Sequence, residues 1–195
     1  ISLGLVGSEM CIRDRDKFEN QITLGAKGVV GTIMTNKGLE IALNKMGVEL
    51  IRSDVGDKFV LQKLEELGWD LGGEQSGHII CLDASNTGDA IIAAIKFLEA
   101  YICSELSLDR ILEPMNKYSQ ILSKIETNDP EKILKNKRFL KLINDISENL
   151  KNYDGRINVR PSGTEPLIRI MVESKSEKQT KQASIELLNF AKKLI

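Results

Sequence analysis

The segment "RPSGTEPLIRIMVE", Arg160 to Glu173, places two guanidiniums and two hydroxyls around one tight glycine turn. Gly163 permits a left-handed or closely approached backbone. Successive backbone N–H groups can then line one concavity, an anion nest. Ser162 and Thr164 add hydroxyl donors, and Arg160 and Arg169 can grip phosphate oxygens in bidentate fashion. Pro161 and Pro166 stiffen the loop at both ends. The chemistry is a phosphate cradle; the plain alternative is a hairpin turn with incidental arginines. It is not a Walker loop, because GxxxxGK[ST] and its following helix are missing.

A second polar loop is "GGEQSGH", Gly72 to His78. A carboxylate beside a hydroxyl suits a polyol, whose vicinal hydroxyls need donors and acceptors at close spacing. Glu74 and Ser76 supply that pair, and His78 is the chain's single histidine. The bland reading is a polar loop tip with a satisfied histidine. No second His or Cys stands at ligand spacing, so a metal role is disfavoured. Ser76 lacks the base and orienter a nucleophile needs. Lys58, after the "VGD" turn, either faces this site or is a surface residue early in a helix.

Both loops need a scaffold. Apolar β-branched "GVVGTIM" (28–34) predicts a buried strand. Asn36 caps a helix with Leu39, Ala42, Leu43 and Met46 on one face, ended by Gly47. "VELIRS" (48–53) is a second strand, and "DKFVLQKLEELG" (57–68) a helix with Phe59, Leu61, Leu64 and Leu67 inside. "WDLGGEQSGHIICLD" reads as strand-loop-strand. A long apolar helix over 86–106 follows, capped by Asn86 or Thr87, and then a short one ended near Pro114. This alternation predicts an α/β layer with crossover connections.

A boundary falls near 114–118. Beyond it come a strand ("KYSQILSKIET"), one helix opened by Asp129 and Pro130, and two strands flanking the phosphate turn. A closing amphipathic helix over "SEKQTKQASIELLNFAKKLI" completes a small α+β domain.

Lys and Arg number 27 against 28 Asp and Glu, for a net charge of −1. So balanced a chain has no general affinity for nucleic acid or a membrane surface, and anion binding must be local. No apolar run reaches the ~18 residues of a membrane helix. Cys11, Cys81 and Cys103 are odd in number without CxxC spacing, which argues against disulfides or zinc and for a reducing cytoplasm. Cys81 and Cys103 lie in apolar runs and read as core.

The two loops, in this order and about eighty-five residues apart, resemble the phosphohexomutase superfamily. "GEQSGH" is similar to its sugar-recognition loop and "RPSGTEPLIRIMVE" to its phosphate-binding loop. Gln75, "VVGTIMTNKGLEIAL", "VGDKFVLQKLEELGWDLGGEQSGHIICLD" and "TGDAIIAAIKFLEA" resemble the phosphoglucosamine mutase branch. The resemblance covers residues 17–195 and implies the C-terminal half of a four-domain enzyme: a mixed sheet flanked by helices, the third, sugar-binding domain (17–114), then the fourth, a phosphate-binding α+β domain (115–195). Residues 1–16 read as an unmatched, artefactual leader.

The resemblance implies interconversion of glucosamine 6-phosphate and glucosamine 1-phosphate through a phosphoserine and a bisphosphate. Glu74, Ser76 and His78 would bind the sugar. Arg160, Ser162, Gly163, Thr164 and Arg169 would hold the non-reacting phosphate. The family's phosphoserine loop and aspartate-rich magnesium loop belong to the missing N-terminal domains. "CIRDRD", with Asp14 and Asp16, lacks the aspartate triple, so no metal ligand is assigned. The expected partners are a hexosamine phosphate and those missing domains; the chain alone is expected to be inactive. The alternatives are a phosphoglucomutase or phosphomannomutase fragment and a non-catalytic sugar-phosphate binding module.

Overall fold

The computed structural model describes residues 28–163 and 165–195. The leader, with its "CIRDRD" run and Cys11, and Thr164 of the phosphate turn lie outside the described residues. The chain divides into two compact units between Lys117 and Tyr118. Among the described residues no helix is long and apolar enough to cross a membrane.

The first unit is a mixed four-stranded sheet in the order β2-β1-β3-β4. β1 (Gly28–Thr32) runs parallel to β2 (Glu49–Ser53) and β3 (Leu71–Gly73), and β4 (Ile79–Cys81) is antiparallel to β3. The whole of β1 is buried, as expected for a parallel strand covered on both faces. Alternation sends Val29 to one face and Val30 to the other. Val29 joins Leu39 and Leu43 of α1 (Lys37–Lys45) in one cluster. Val30 joins Val60 and Leu64 of α2 (Asp57–Leu67) in the other.

Several expectations shift here. β1 stops at Thr32, because Thr35 Oγ1 accepts from the Thr32 N–H at 2.8 Å and turns the chain. Asn36 caps α1 by accepting from the Gly38 N–H at 3.0 Å. In α2 the buried positions are Val60 and Leu64; Phe59 and Leu61 are half-buried and Leu67 is exposed. An i, i+4 pair is enough to meet the Val30 face of the sheet, and Gly68, at φ +64°, stops the helix one residue past Leu67.

The long helix is α3 (Ala90–Ser104), not 86–106. Its cap is Asp89 rather than Asn86 or Thr87, since the Asp89 carboxylate accepts from the Ile91 and Ile92 N–H groups. Ala93, Ala100 and Ser104 face inward, while Cys103 is exposed and Cys81 is buried. The core expectation therefore fails for Cys103, which lies off the small-residue stripe. α4 (Leu108–Leu112) ends the unit.

The second unit is an antiparallel sheet in the order β5-β7-β6, formed by β5 (Ser119–Glu126), β6 (Arg156–Pro161) and β7 (Leu167–Ser174). The single helix expected after Asp129 is two: α5 (Pro130–Leu134) and α6 (Lys137–Lys151). Asn136 makes the break, its side chain accepting from the Arg138 and Phe139 N–H groups. Asn competes for backbone groups in this way and so favours caps over helix interiors. α6 and α7 (Glu177–Lys192) bury Phe139, Leu150 and Leu187 against Ile168, Ile170 and Val172.

The other sheet face is built in cross-strand rows. Gln120, Glu173 and Arg156 form one: Glu173 is buried, Arg156 Nε donates to it at 2.5 Å and Gln120 Nε2 at 3.2 Å. Leu122, Met171 and Asn158 form the next. Lys124, Arg169 and Arg160 form the third, beside the 162–166 turn.

Candidate functional site

The sugar-loop candidates sit at the mouth of the β3–β4 hairpin. The Glu74 N–H donates to His78 O at 2.8 Å, and the Gly77 N–H donates to Glu74 O at 3.1 Å, so the tip is a closed turn. Gly77 takes φ +107°, a conformation that favours glycine. Glu74 is only 8% exposed. Its Oε1 accepts from the Gly56 N–H at 2.8 Å, and its Oε2 lies 3.3 Å from His78 Nδ1. A carboxylate has about four lone-pair sites. Two are engaged, leaving acceptor capacity for a ligand. Ser76 and the His78 ring are exposed, and Gln75 is half-buried.

Glu74 and His78 are therefore brought together, and Ser76, between them in the chain, has no hydrogen bond to a base among the described residues. Sequence reasoning missed Gly56. Its N–H anchors Glu74, and its φ of +131° lies in a region L side chains rarely adopt. The available signal was the "VGD" turn beside Lys58, read there only for the lysine. Lys58 is exposed, with its Nζ 4.7 Å from the centroid of the Phe59 ring, a cation–π contact.

The phosphate-loop candidates sit on the β6–β7 hairpin. Arg160 and Arg169 are directly opposed across the two strands. Residues so opposed share a face, with Cβ atoms roughly 5 Å apart. Arg160 Nε is buried and has no hydrogen-bond partner among the described residues. Arg169 Nη2 donates to Glu165 at 2.9 Å, with both side chains substantially exposed. The Ser162 N–H donates to Leu167 O, and the Thr127 N–H of the adjoining segment donates to Pro166 O, both at 2.9 Å. The loop is thus tied at both ends.

Gly163 departs from expectation. Its φ lies outside the left-handed region, and an added Cβ would meet nothing within 4 Å. Neither strain nor crowding within the protein demands glycine there. Close approach of a ligand to the backbone is the reason for glycine that the geometry leaves open. Gly163→Ala is accordingly expected to change the melting temperature by less than about 2 °C. The same variant should weaken phosphate binding severalfold in a titration; equal binding would remove the ligand argument for this glycine.

Burial, with Asp154 beside it, raises the Tyr118 hydroxyl above its ordinary value, and the bond to Asp83 raises Lys96. Clefts of about 520 and 430 Å³ open in the second unit. The larger lies between the ends of α6 and α7, at Asn136 and Leu194; the smaller is lined by Lys124, Glu126, Glu165 and Pro166. Among the described residues no group of three His, Cys, Asp or Glu is placed to hold a metal ion.

Two family models match the chain. "Phosphoglucomutase/phosphomannomutase, alpha/beta/alpha domain III" covers residues 9–118, and "Phosphoglucomutase/phosphomannomutase, C-terminal domain" covers 122–188. Among curated relatives, phosphoglucosamine mutase of Aeromonas hydrophila is 42% identical over 167 residues, 86% of this chain and 37% of the relative. That of Hydrogenovibrio crunogenus is 40% identical over 169 residues, 87% of this chain and 38% of the relative. The chain thus spans well under half the length of these relatives. Among solved structures, an N-acetylglucosamine-phosphate mutase in its substrate complex superposes with TM-score 0.72 at 18% identity, over 97% of this chain and 42% of that one. The Aspergillus fumigatus N-acetylphosphoglucosamine mutase with GlcNAc-6P and magnesium gives 0.67 at 16%, over 96% and 44%. At such identities the likeness is one of fold.

Proposed function

Because the chain belongs to the phosphoglucomutase/phosphomannomutase family, we propose that it is the sugar- and phosphate-binding part of a phosphoglucosamine mutase. The parent would interconvert glucosamine 6-phosphate and glucosamine 1-phosphate in the cytoplasm, supplying an amino-sugar precursor for cell-wall synthesis. The observation that carries this reading is the direct opposition of Arg160 and Arg169 beside a tied turn, with Arg160 Nε unanswered among the described residues. Like charges directly opposed destabilise a sheet. An anion between them reverses the sign.

In this reading a phosphoserine, supplied by the part of the parent not represented here, transfers its phosphoryl group to the sugar hydroxyl. The serine–phosphorus bond breaks as the sugar–phosphorus bond forms. The bisphosphate turns over, and the other phosphoryl group returns to the serine. The residues of this chain do none of that chemistry. Arg160, Arg169, the turn N–H groups and the Ser162 and Thr164 hydroxyls hold the idle phosphate in either orientation. They are fixed donors with no base among them, as a group that must not react requires. Glu74 accepts from sugar hydroxyls, Ser76 donates or accepts, and His78 supports the loop through its contact with Glu74. Magnesium, which in this reading the parent's aspartate-rich loop would hold, enters no step that these residues perform; among the described residues no group of three His, Cys, Asp or Glu is placed for it. Gln75, within a loop otherwise shared with the phosphoglucomutase and phosphomannomutase alternatives, favours the amino sugar.

Titrating the chain with glucosamine 6-phosphate, glucose 6-phosphate and mannose 6-phosphate tests the reading. All three are expected to bind through the phosphate, the amino sugar most tightly. No saturable binding of any would discard it; preference for mannose or glucose would move the parent to another branch. The purified chain incubated with glucosamine 6-phosphate and magnesium is expected to yield no glucosamine 1-phosphate above background. Sustained turnover would mean that it carries its own nucleophile.

A further inference from the structure

We infer that Lys124 is a third cation of the phosphate site, which therefore extends across the sheet from the β6–β7 hairpin to β5. The inference rests on the phosphate-holding reading above. Lys124 is register partner to Arg169, and Arg169 to Arg160, so three cations stand in one row on the sheet face opposite the helices. Neighbouring strands lie about 4.8 Å apart. Such a row opposes folding unless acids answer it.

The rest of the same face shows how charge is handled where no ligand is awaited. Arg156 is met by buried Glu173, which Gln120 also bonds. The middle row of Leu122, Met171 and Asn158 carries no charge. The Lys124 row alone carries an excess of positive charge, and the row beyond it, Glu126 opposite Leu167, brings a single acid. Glu165 engages Arg169, and Glu126 stands two residues along β5 on the Lys124 side of the strand. Neither acid makes an ion pair or hydrogen bond to Lys124 or Arg160 among the described residues.

A cleft of about 430 Å³ joins the ends of β5 and β7, lined by Lys124, Glu126 and Thr127 on one side and by Glu165 and Pro166 of the turn and Leu167 of β7 on the other; neither arginine lines it. Lys124 thus opens onto the same cavity as the phosphate loop while lying on a different strand. Its four-carbon stem is flexible and its ammonium a compact point charge. It can follow a phosphate that the guanidiniums position. The ligand class is a dianionic phosphate monoester, whose two charges the three cations can meet once Glu165 yields Arg169.

The test is titration of the whole 195-residue chain with inorganic phosphate and with glucosamine 6-phosphate, alongside Lys124→Gln, Lys124→Arg and Arg169→Gln. Removing the Lys124 charge is expected to weaken both ligands roughly three- to tenfold. Lys124→Arg restores the affinity. Without ligand, Lys124→Gln should melt at or above the unsubstituted chain, because a repulsion has gone; the rise in Tm that phosphate produces should shrink. A purely structural lysine would give the opposite sign, lower Tm without ligand, and that result overturns the inference. Wild-type affinity in Lys124→Gln with binding lost in Arg169→Gln overturns it too, while leaving the phosphate-loop reading intact. Failure of the unsubstituted chain to bind either ligand removes that reading and the inference with it.

Discussion

Arg169→Ala is expected to lower the affinity of the chain for a sugar phosphate about a hundredfold, which corresponds to about 2.7 kcal/mol. Two charge-assisted hydrogen bonds from one guanidinium account for a loss of that size. The stability cost should be small. The Arg169 side chain is 44% exposed, and its partner Glu165 is similarly open. Exposed pairs of this kind contribute about 0–1 kcal/mol. Lysine should rescue only part of the binding, because a point charge cannot reproduce the fork. Calorimetric titration beside a thermal melt separates the two effects. Loss of less than threefold with unchanged melting would show that the phosphate sits elsewhere. Opposed to Arg160 on the neighbouring strand, Arg169 is where the reading is most exposed to refutation.

Phe139→Ala is expected to have the largest effect on stability. Phe139 is fully buried in the second unit and stacks on Phe190, with ring centroids 6.0 Å apart and planes within 9°. Truncating a buried phenylalanine costs about 3–5 kcal/mol, part from lost transfer and part from the cavity left behind. A domain of this size has only about 5–10 kcal/mol in total. The second unit should therefore be largely or marginally unfolded at room temperature, and phosphate binding should fall with it. The first unit has its own clusters around Val29 and Val30 and should keep its protection against amide exchange. Uniform loss of protection across both units would mean that they fold as one.

Much of this was legible in the sequence. Runs such as "GVVGT" declare a buried strand through β-branching and apolarity alone, and Asn36 and Gly68 bracket helices by cap chemistry that acts over three or four residues. The misses share a cause. Asn136 reads as helix interior because its neighbours are good helix formers; only its geometry reveals that it caps a second helix. Asp89 lost to Asn86 and Thr87 because all three are capping types, and the fold decides which reaches the free N–H groups. Cys103 lies in an apolar run but on the wrong side of α3. Of the site, the two loops were readable as local motifs. The long-range placements were not: the register putting Lys124 beside Arg169, and the Gly56 bond to Glu74, depend on pairings 45 and 18 residues apart.

That bond between Gly56 and Glu74 has an evolutionary consequence. It makes one recognition surface of two loops, and the glycine's φ of +131° forbids nearly every other residue there. A substitution at Glu74 that retunes sugar preference also frees the turn before α2, and one at Gly56 displaces the carboxylate. On the proposed reading sugar specificity would be epistatic: single replacements in either loop are expected to lose binding before a new preference forms, so that changes of preference would come as linked pairs.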